Sequence, residues 1–293
     1  MKEFLKRTLF GFIFLVLVVS TILYSSLAFC ILMGVVVCIG CYEMSQLASA
    51  SKSNKCYTFW ICFFGLLSYI LIAIGATISG AIKSFFFIPL VFMLPFLFAL
   101  YDKKNSIAEL TAAFWIPMFS VVIPSGIMIC IHNTNFLHLA SGATIFSHEA
   151  NGFSIGSCNF PLGTELLLFI LALVWINDIF AYLVGVTIGR HRLFERISPK
   201  KSWEGSIGGL VFTLFASGLY CHFKVFLPMH IGLIIALLIV VFGSFGDLVE
   251  SMLKRHAGVK DSGKIIPGHG GILDRFDAAF FAIPFVFVYL MII

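Results

Sequence analysis

Charged residues are scarce in this chain: Asp, Glu, Lys and Arg together make up 11% of its 293 residues, whereas hydrophobic residues make up 60%. Several apolar runs reach the roughly 20 residues that a helix needs to cross a bilayer. A water-soluble globular protein cannot bury this much apolar surface, so that class is excluded. The composition therefore predicts an all-α, polytopic integral membrane protein.

Cysteines are few: the chain has eight, most of them in apolar runs, and the single CxxC spacing, Cys38–Cys41, falls inside such a run. We expect them to be small apolar helix residues and not disulfide partners or metal ligands. Low-complexity segments and convincing internal repeats are absent too. The N-terminus has basic and apolar parts, like a signal peptide. However, apolar sequence continues to about Leu47 with no evident cleavage site, which favours a first transmembrane helix.

Hydrophobic runs predict about nine membrane spans, and the basic residues predict their orientation. The spans are 8–24, 27–48, 57–78, 84–101, 110–131, 164–188, 207–223, 231–252 and 274–293. With a cytoplasmic N-terminus, 17 of the 19 Lys and Arg residues fall on the cytoplasmic side, and only Lys83 and Lys224 on the other. This asymmetry follows the positive-inside rule. It places the two charge-rich connections, 189–206 and 253–273, in the cytoplasm.

The chain divides on this basis into two regions. Residues 1–163 hold the N-terminal helices and a polar connection, 132–163, which has no Lys or Arg and is predicted to be non-cytoplasmic. Residues 164–293 hold the charge-rich motifs. The net charge of +5 fits anionic lipid headgroups, which attract each nearby basic residue by about 1 kcal/mol. It does not indicate a nucleic-acid partner.

Carboxylates flank the second charge-rich connection on both sides. Asp247 and Glu250 share one helical face near the end of the eighth span, and Asp274 and Asp277 do so at the start of the ninth. If these helix ends meet, the acids repel one another unless a cation lies between them. Oxygen-rich clusters suit Mg²⁺. Five basic residues stand close by, namely Lys254, Arg255, Lys260, Lys264 and Arg275. Acids that hold a metal, with bases that hold phosphate, are typical of phosphoryl or nucleotidyl transfer.

A glycine-rich turn, Pro267 to Gly271, precedes the ninth span. Glycines permit positive φ and let backbone N–H groups approach an anion, and the helix expected from about Asp274 would favour negative charge at its start. Alone the run indicates a plain loop, but the flanking acids and bases favour a site.

A second polar segment runs from Asn177 to Gly209. Asp178 lies in an apolar helix, where a charge usually faces a polar cavity or partner. Interhelical hydrogen bonding by Asn177 and Asp178 is the alternative. The run ISPKKSWEG that follows predicts a short helix capped by Ser198, with Pro199 in its first turn. Trp203 is either an interfacial anchor or part of the site.

Three runs of this sequence resemble one family. SMLKRHAGVKDSGKIIPGHGGILDRFD, from Ser251 to Asp277, resembles the signature of phosphatidate cytidylyltransferases, also called CDP-diacylglycerol synthases. NDIFAYLVGVTIG and ISPKKSWEG, which lie upstream, resemble the same family. The N-terminal half is similar only in its style of spans and in the pair Tyr42–Glu43. Ser202 stands where Thr is common and Ala278 where Ser is common, which puts a hydroxyl role at position 278 in doubt.

The resemblance implies the reaction of CTP with phosphatidate to give CDP-diacylglycerol and pyrophosphate. Metal ligands would be Asp247, Asp274 and Asp277, which are also expected to be catalytic together with Lys254, Arg255, Lys260 and Asp261. Substrate-binding residues would be Asp178, Ser198, Lys200, Lys201, Ser251, Ser262, His269 and Arg275. For His269, a purely structural role in the loop is the alternative. Glu250 is a further candidate at the site.

The resemblance also implies partners and a location. The cofactor would be Mg²⁺, with Mn²⁺ as an alternative, and a second cation such as K⁺ would accompany it. The partners would be CTP, phosphatidate, membrane lipids and a second copy in a homodimer. A bacterial inner membrane, with the site facing the cytoplasm, is the expected location.

Two other functions fit part of the pattern. A transporter or channel would place ionisable residues near the centres of several spans, but here Glu43 and Asp178 are the main intramembrane charges. A CTP-dependent lipid kinase would transfer the γ-phosphate and not the cytidylyl group.

Overall fold

The computed structural model describes residues 2–48, 55–78, 87–88, 91, 113–133, 154–155, 158–159, 162–224, 227–263, 265 and 270–293. The helices are α1 Lys2–Tyr24, α2 Ser26–Ala48, α3 Lys55–Thr77, α4 Ala113–His132, α5 Leu162–Ile188, α6 Trp203–Lys224, α7 Met229–His256 and α8 Leu273–Ile292. The strands are β1 Ser154–Ile155, β2 Cys158–Asn159, β3 Arg192–Phe194 and β4 Ser198–Ser202.

The predicted all-α membrane class is confirmed, because seven of these helices are long and apolar enough to cross a bilayer. The apolar part of α1, Leu9–Tyr24, is shorter. Most of the predicted span 84–101 lies outside the described residues. The count of nine spans and the cytoplasmic N-terminus stay predictions.

Packing divides the chain into two compact units. Unit 1 comprises Met1–Phe136 and Leu253–Phe276, and unit 2 comprises Leu137–Met252 and Asp277–Ile293. The predicted division at residue 163 was drawn from sequence motifs and stays a prediction. The packing adds that segment 253–276 folds with the N-terminal helices.

In unit 1, α2, α3 and α4 pack through small residues. A Cβ at Gly65 would lie 2.8 Å from Cys41 Sγ, which is too close for an ordinary contact, so glycine fits this approach. Met118–Val122 forms a π-helical turn within α4, and Ile123 N–H donates to the carbonyl of Met118. Pro124, which follows, has no N–H to continue the regular ladder.

In unit 2, α5 and α6 also approach through glycines. A Cβ at Gly205 would lie 2.7 Å from the Ala181 carbonyl oxygen, and one at Gly209 would lie 2.6 Å from Asn177 Oδ1. Asn177 is buried and packs against α6, but its Oδ1 accepts no hydrogen bond from the described residues, so interhelical hydrogen bonding by this residue stays a prediction. This close contact fixes α5, the helix that carries Asp178.

The predicted helix that begins at Ser198 is wrong. Residues Ser198–Ser202 form β4, which pairs antiparallel with β3. Helix α6 begins afterwards, and its cap is Ser202, whose Oγ accepts a hydrogen bond from Gly205 N–H at 3.1 Å. Pro199 is compatible with this ribbon because a proline can occupy an edge strand as well as a first helical turn.

Candidate active site

Helix α7 ends in a Schellman motif. The residues between α7 and α8, 257–272, belong to the signature run and are called the signature loop. Val259 N–H donates to the Lys254 carbonyl at 2.9 Å, and Gly258 N–H donates to the Arg255 carbonyl at 3.1 Å. Gly258 adopts φ +70°, a left-handed conformation that favours glycine. The motif stops the helix at His256 and leaves Lys254 in its last turn.

Asp274 is the centre of the polar contacts in unit 1. Its Oδ2 accepts hydrogen bonds from Gly271 N–H at 2.8 Å and from both the N–H and the Oγ of Ser262 at 3.0 Å. Its Oδ1 accepts from Lys254 Nζ at 2.6 Å. Both side chains of this ion pair are only 12% exposed, so solvent screens the interaction weakly. Three predicted site residues, Lys254, Ser262 and Asp274, are thus brought together.

Backbone geometry around Asp274 explains why glycines occupy the turn. Gly270 has φ +85°, which confirms the expected positive φ in this run. A Cβ at Gly271 would collide with Ser262 Oγ and with both carboxylate oxygens of Glu43. His269 and Lys264, which were predicted to take part here, lie outside the described residues.

Glu43 of α2 is a member of this group that the sequence analysis did not assign to the site. Its side chain is buried, with 1% exposed. It accepts hydrogen bonds from Ile272 N–H at 3.2 Å and Leu273 N–H at 3.0 Å, and it shares the hydroxyl proton of Ser262, whose Oγ lies at 3.1 Å, with Asp274. The signal that could have found it is an acid within an apolar helix. We call Glu43, Lys254, Ser262, Gly271 and Asp274 the loop cluster.

A second group of predicted residues comes together in unit 2. Lys201 Nζ lies 2.6 Å from Asp247 Oδ2, and Ser251 Oγ donates to Asp247 Oδ1 at 3.2 Å. The carboxylate of Asp178 interacts electrostatically with Asp277, Asp247 and Lys201. We call these five residues the carboxylate cluster. Three acids thus lie close to one lysine, and the acids repel one another where they are ionised.

The ribbon β3–β4 separates the two predicted lysines. Neighbouring residues of a strand point to opposite faces, so Lys201 reaches Asp247 while Lys200 is exposed. Ser198 starts β4 opposite Phe194. The other predicted residues Arg255, Lys260, Asp261 and Arg275 are exposed, and Glu250 is buried in unit 2.

An open groove of about 650 Å³ lies beside this ribbon and was not predicted. Its lining includes Arg190, Arg192 and Trp203. Glu204 also lines it, and its carboxylate accepts hydrogen bonds from His191 Nδ1 at 2.6 Å and from the N–H groups of Arg190 and His191. Sequence analysis assigned these arginines only to the positive-inside asymmetry.

Both clusters combine acids and lysines within a chain that has seven potential membrane-spanning helices. This arrangement defines an integral membrane protein with two polar clusters of acids and lysines among its described residues. Residues 5–293 match the profile of the cytidylyltransferase family. The chain therefore belongs to the cytidylyltransferase family, which confirms the resemblance noted in the sequence.

Individual relatives agree with this family. The chain is 45% identical over 130 residues to the phosphatidate cytidylyltransferase of Staphylococcus saprophyticus, which is 44% of this chain and 50% of that protein. It is 46% identical over 130 residues to the enzyme of that name from Staphylococcus aureus strain COL and over 131 residues to that from Staphylococcus epidermidis, with the same coverage. The chain thus spans about half the length of the curated relatives it matches.

Proposed function

We propose that this protein is a phosphatidate cytidylyltransferase, which transfers the cytidylyl group of CTP to phosphatidate. A phosphate oxygen of phosphatidate attacks the α-phosphorus of CTP, and the bond from that phosphorus to the β-phosphate oxygen breaks. The products are CDP-diacylglycerol and pyrophosphate. Membership of the cytidylyltransferase family and the name of the staphylococcal relatives support this reaction.

The observation that carries the proposal is that lysines lie against predicted site acids in both clusters. Lys254 contacts Asp274, and Lys201 contacts Asp247, each at 2.6 Å. The nucleophile of this reaction is already an anion, so its approach to a triphosphate requires neutralisation of charge more than a strong base. Lysines held by carboxylates are ordered cations that can contact phosphate oxygens.

Magnesium is the cofactor that the family resemblance implies, and the donors of the carboxylate cluster fit it chemically. Asp247 and Asp277 would hold the ion, because carboxylate oxygens are the ligands that Mg²⁺ prefers. Asp247 Oδ2 is shared with Lys201, so a cation would compete with that lysine. Asp274 Oδ2 faces Ser262 and Gly271 and its Oδ1 is paired with Lys254, so a cation at Asp274 would compete with that lysine. When bound, Mg²⁺ would neutralise charge on the phosphates.

Among the described residues, no group of three or more His, Cys, Asp or Glu side chains forms a ready metal site. Metal dependence, Mn²⁺ as a substitute and a second cation such as K⁺ are therefore proposals. Removal of divalent metal with EDTA should abolish transfer, and added Mg²⁺ should restore it. Full activity in EDTA would refute the metal dependence alone.

The location and assembly are proposed on the same basis. The asymmetry of basic residues and the bacterial relatives support a bacterial inner membrane with the site facing the cytoplasm. Dimer formation is proposed from the resemblance, and the mass of the protein in detergent would test it.

The decisive experiment follows two labels with the purified chain, Mg²⁺, phosphatidate and CTP. Label in the cytidine should enter the lipid, whereas γ-phosphate label should leave as pyrophosphate. Entry of γ-phosphate label would instead support the lipid kinase, and lipid labelled by neither would refute both transferases. Asp274→Asn should lower transfer by about 100-fold or more, because an amide cannot neutralise Lys254.

A further inference from the structure

Glu43 joins two distant parts of unit 1. It lies near the end of α2, and its three hydrogen-bond donors are 219 to 230 residues later in the chain. Ser262 lies near the start of the signature loop, and Ile272 and Leu273 lie at its end. One buried carboxylate therefore fastens both ends of the loop to α2.

The two backbone donors lie at the start of α8: Ile272 immediately precedes the helix, and Leu273 is its first residue. Such N–H groups have no partner within their helix, and the start of a helix carries partial positive charge. A carboxylate at this position satisfies two N–H groups and balances that charge. Because Glu43 is 1% exposed, water cannot replace it there.

The loop is shaped closely around the Glu43 carboxylate. A Cβ at Gly263 would collide with Glu43 Oε1, and a Cβ at Gly271 would collide with both of its oxygens. Glu43 thus packs between two glycine backbones as well as bonding to the loop. To pack between these glycines and accept both backbone hydrogen bonds, residue 43 needs the length of a glutamate side chain and an acceptor at each of its two oxygen positions.

The contacts of Glu43 lead directly to Asp274. The single hydroxyl proton of Ser262 is shared between Glu43 and Asp274, and the Ser262 N–H also donates to Asp274. Gly271 N–H, next to the Glu43-bound Ile272, is a further donor to Asp274. Asp274 in turn holds the ammonium of Lys254. Moving the loop away from α2 would therefore move the donors that orient this ion pair.

We propose that Glu43 is a positioning residue, which holds Ser262 and Gly271 so that they orient Asp274 and, through it, Lys254. The proposal rests on the proposed function for its effect on transfer. Glu43 itself has no contact with the reacting atoms in this role. Displacement of groups near a reaction centre by about 1 Å is enough to lower rates roughly 100-fold.

The side-chain chemistry selects the variants. Glutamine has the same shape, but its amide nitrogen would face either Ile272 N–H or Leu273 N–H, so one donor loses its acceptor. Aspartate keeps both acceptors and is shorter by one methylene, about 1.5 Å. Glu165→Gln is the matched control, because Glu165 is also buried in an apolar helix but accepts from Tyr220 Oη in unit 2 at 2.7 Å.

The first measurement is kcat/KM of the full chain in detergent, normalised to folded protein. Glu43→Gln should lower it by roughly 10–100-fold, Glu43→Asp should recover part of that loss, and Glu165→Gln should stay near the native value. An equal loss in Glu165→Gln, or native activity in folded Glu43→Gln, would overturn the proposal. If Glu43→Gln does not fold, Glu43→Asp carries the same comparison with a smaller loss.

A second measurement needs no activity and separates this proposal from the proposed function. An amine-reactive reagent should label Lys254 several-fold faster in Glu43→Gln than in the native chain, as followed by mass spectrometry. Exposed Lys260 is the internal reference and should be labelled at an unchanged rate. Unchanged labelling of Lys254 would overturn the positioning role. Absence of transfer by the native chain would refute the proposed function but leave this result intact.

Discussion

The ion pair between Lys254 and Asp274 should show strong energetic coupling. Its atoms are 2.6 Å apart and both side chains are 12% exposed, so removal of either partner leaves a poorly solvated charge. Breaking a buried pair from one side costs about 3–5 kcal/mol. Lys254→Met should destabilise the protein by an amount at the low end of this range, because Ser262 and Gly271 still donate hydrogen bonds to Asp274. Asp274→Asn should destabilise the protein by an amount at the high end of this range, because Lys254 would then lie beside a neutral amide without a counter-charge.

The double variant removes both charges and should be more stable than the sum of the single effects predicts. We expect a coupling of about 1–3 kcal/mol. The assay is unfolding of each variant in mixed micelles, followed by tryptophan fluorescence. Transfer activity should not recover in the double variant, because the proposed mechanism needs the lysine as a cation.

Arg255→Met provides the control for loss of a basic residue. Arg255 is exposed and forms no ion pair among the described side chains. Its replacement should change the free energy of unfolding by less than about 0.5 kcal/mol. Effects of Lys254→Met and Asp274→Asn that add within about 0.5 kcal/mol would refute the coupling.

Three further substitutions test other parts of the structure. Gly271→Ala should abolish transfer and lower the melting temperature, because the new methyl group collides with Ser262 Oγ. Native activity together with a native melting temperature would contradict the described loop. Lys201→Gln should lower kcat/KM more than Lys200→Gln, since Lys201 alone contacts Asp247, and equal effects would argue against that contact. Ser202→Ala should destabilise the protein by about 1 kcal/mol through loss of the cap on α6, measured by unfolding; no change would show that the cap is dispensable.

The membrane helices could be predicted because their signal is local. The apolar runs 27–48 and 164–188 correspond to α2 and α5 within about two residues. The start of α8 could be anticipated in the same way, because Asp274 follows a glycine-rich run and precedes an apolar one. A helix needs only its own sequence to satisfy its backbone, so contiguous residues specify it.

The ribbon β3–β4 could not be predicted on the same grounds. Ser198 followed by Pro199 is compatible with a helix start as well as with a strand. The choice depends on nonlocal bonds, such as Trp203 N–H to the His191 carbonyl at 2.9 Å. Alternation along that strand then distinguishes Lys201 from Lys200, a difference that two adjacent lysines in a sequence do not reveal.

Glu43 shows why the site was only partly predictable. Its acidic side chain in an apolar helix indicated a polar partner, but the partner is a loop more than 200 residues away. Motif spacing points to Asp274 because its neighbours in sequence are also its neighbours in space. An acid that binds a loop from another helix is far from that loop in the sequence, so no motif spacing reveals the contact. An isolated buried acid should therefore be examined first for backbone N–H donors at a helix start, where its charge is stabilised, before it is assigned to catalysis.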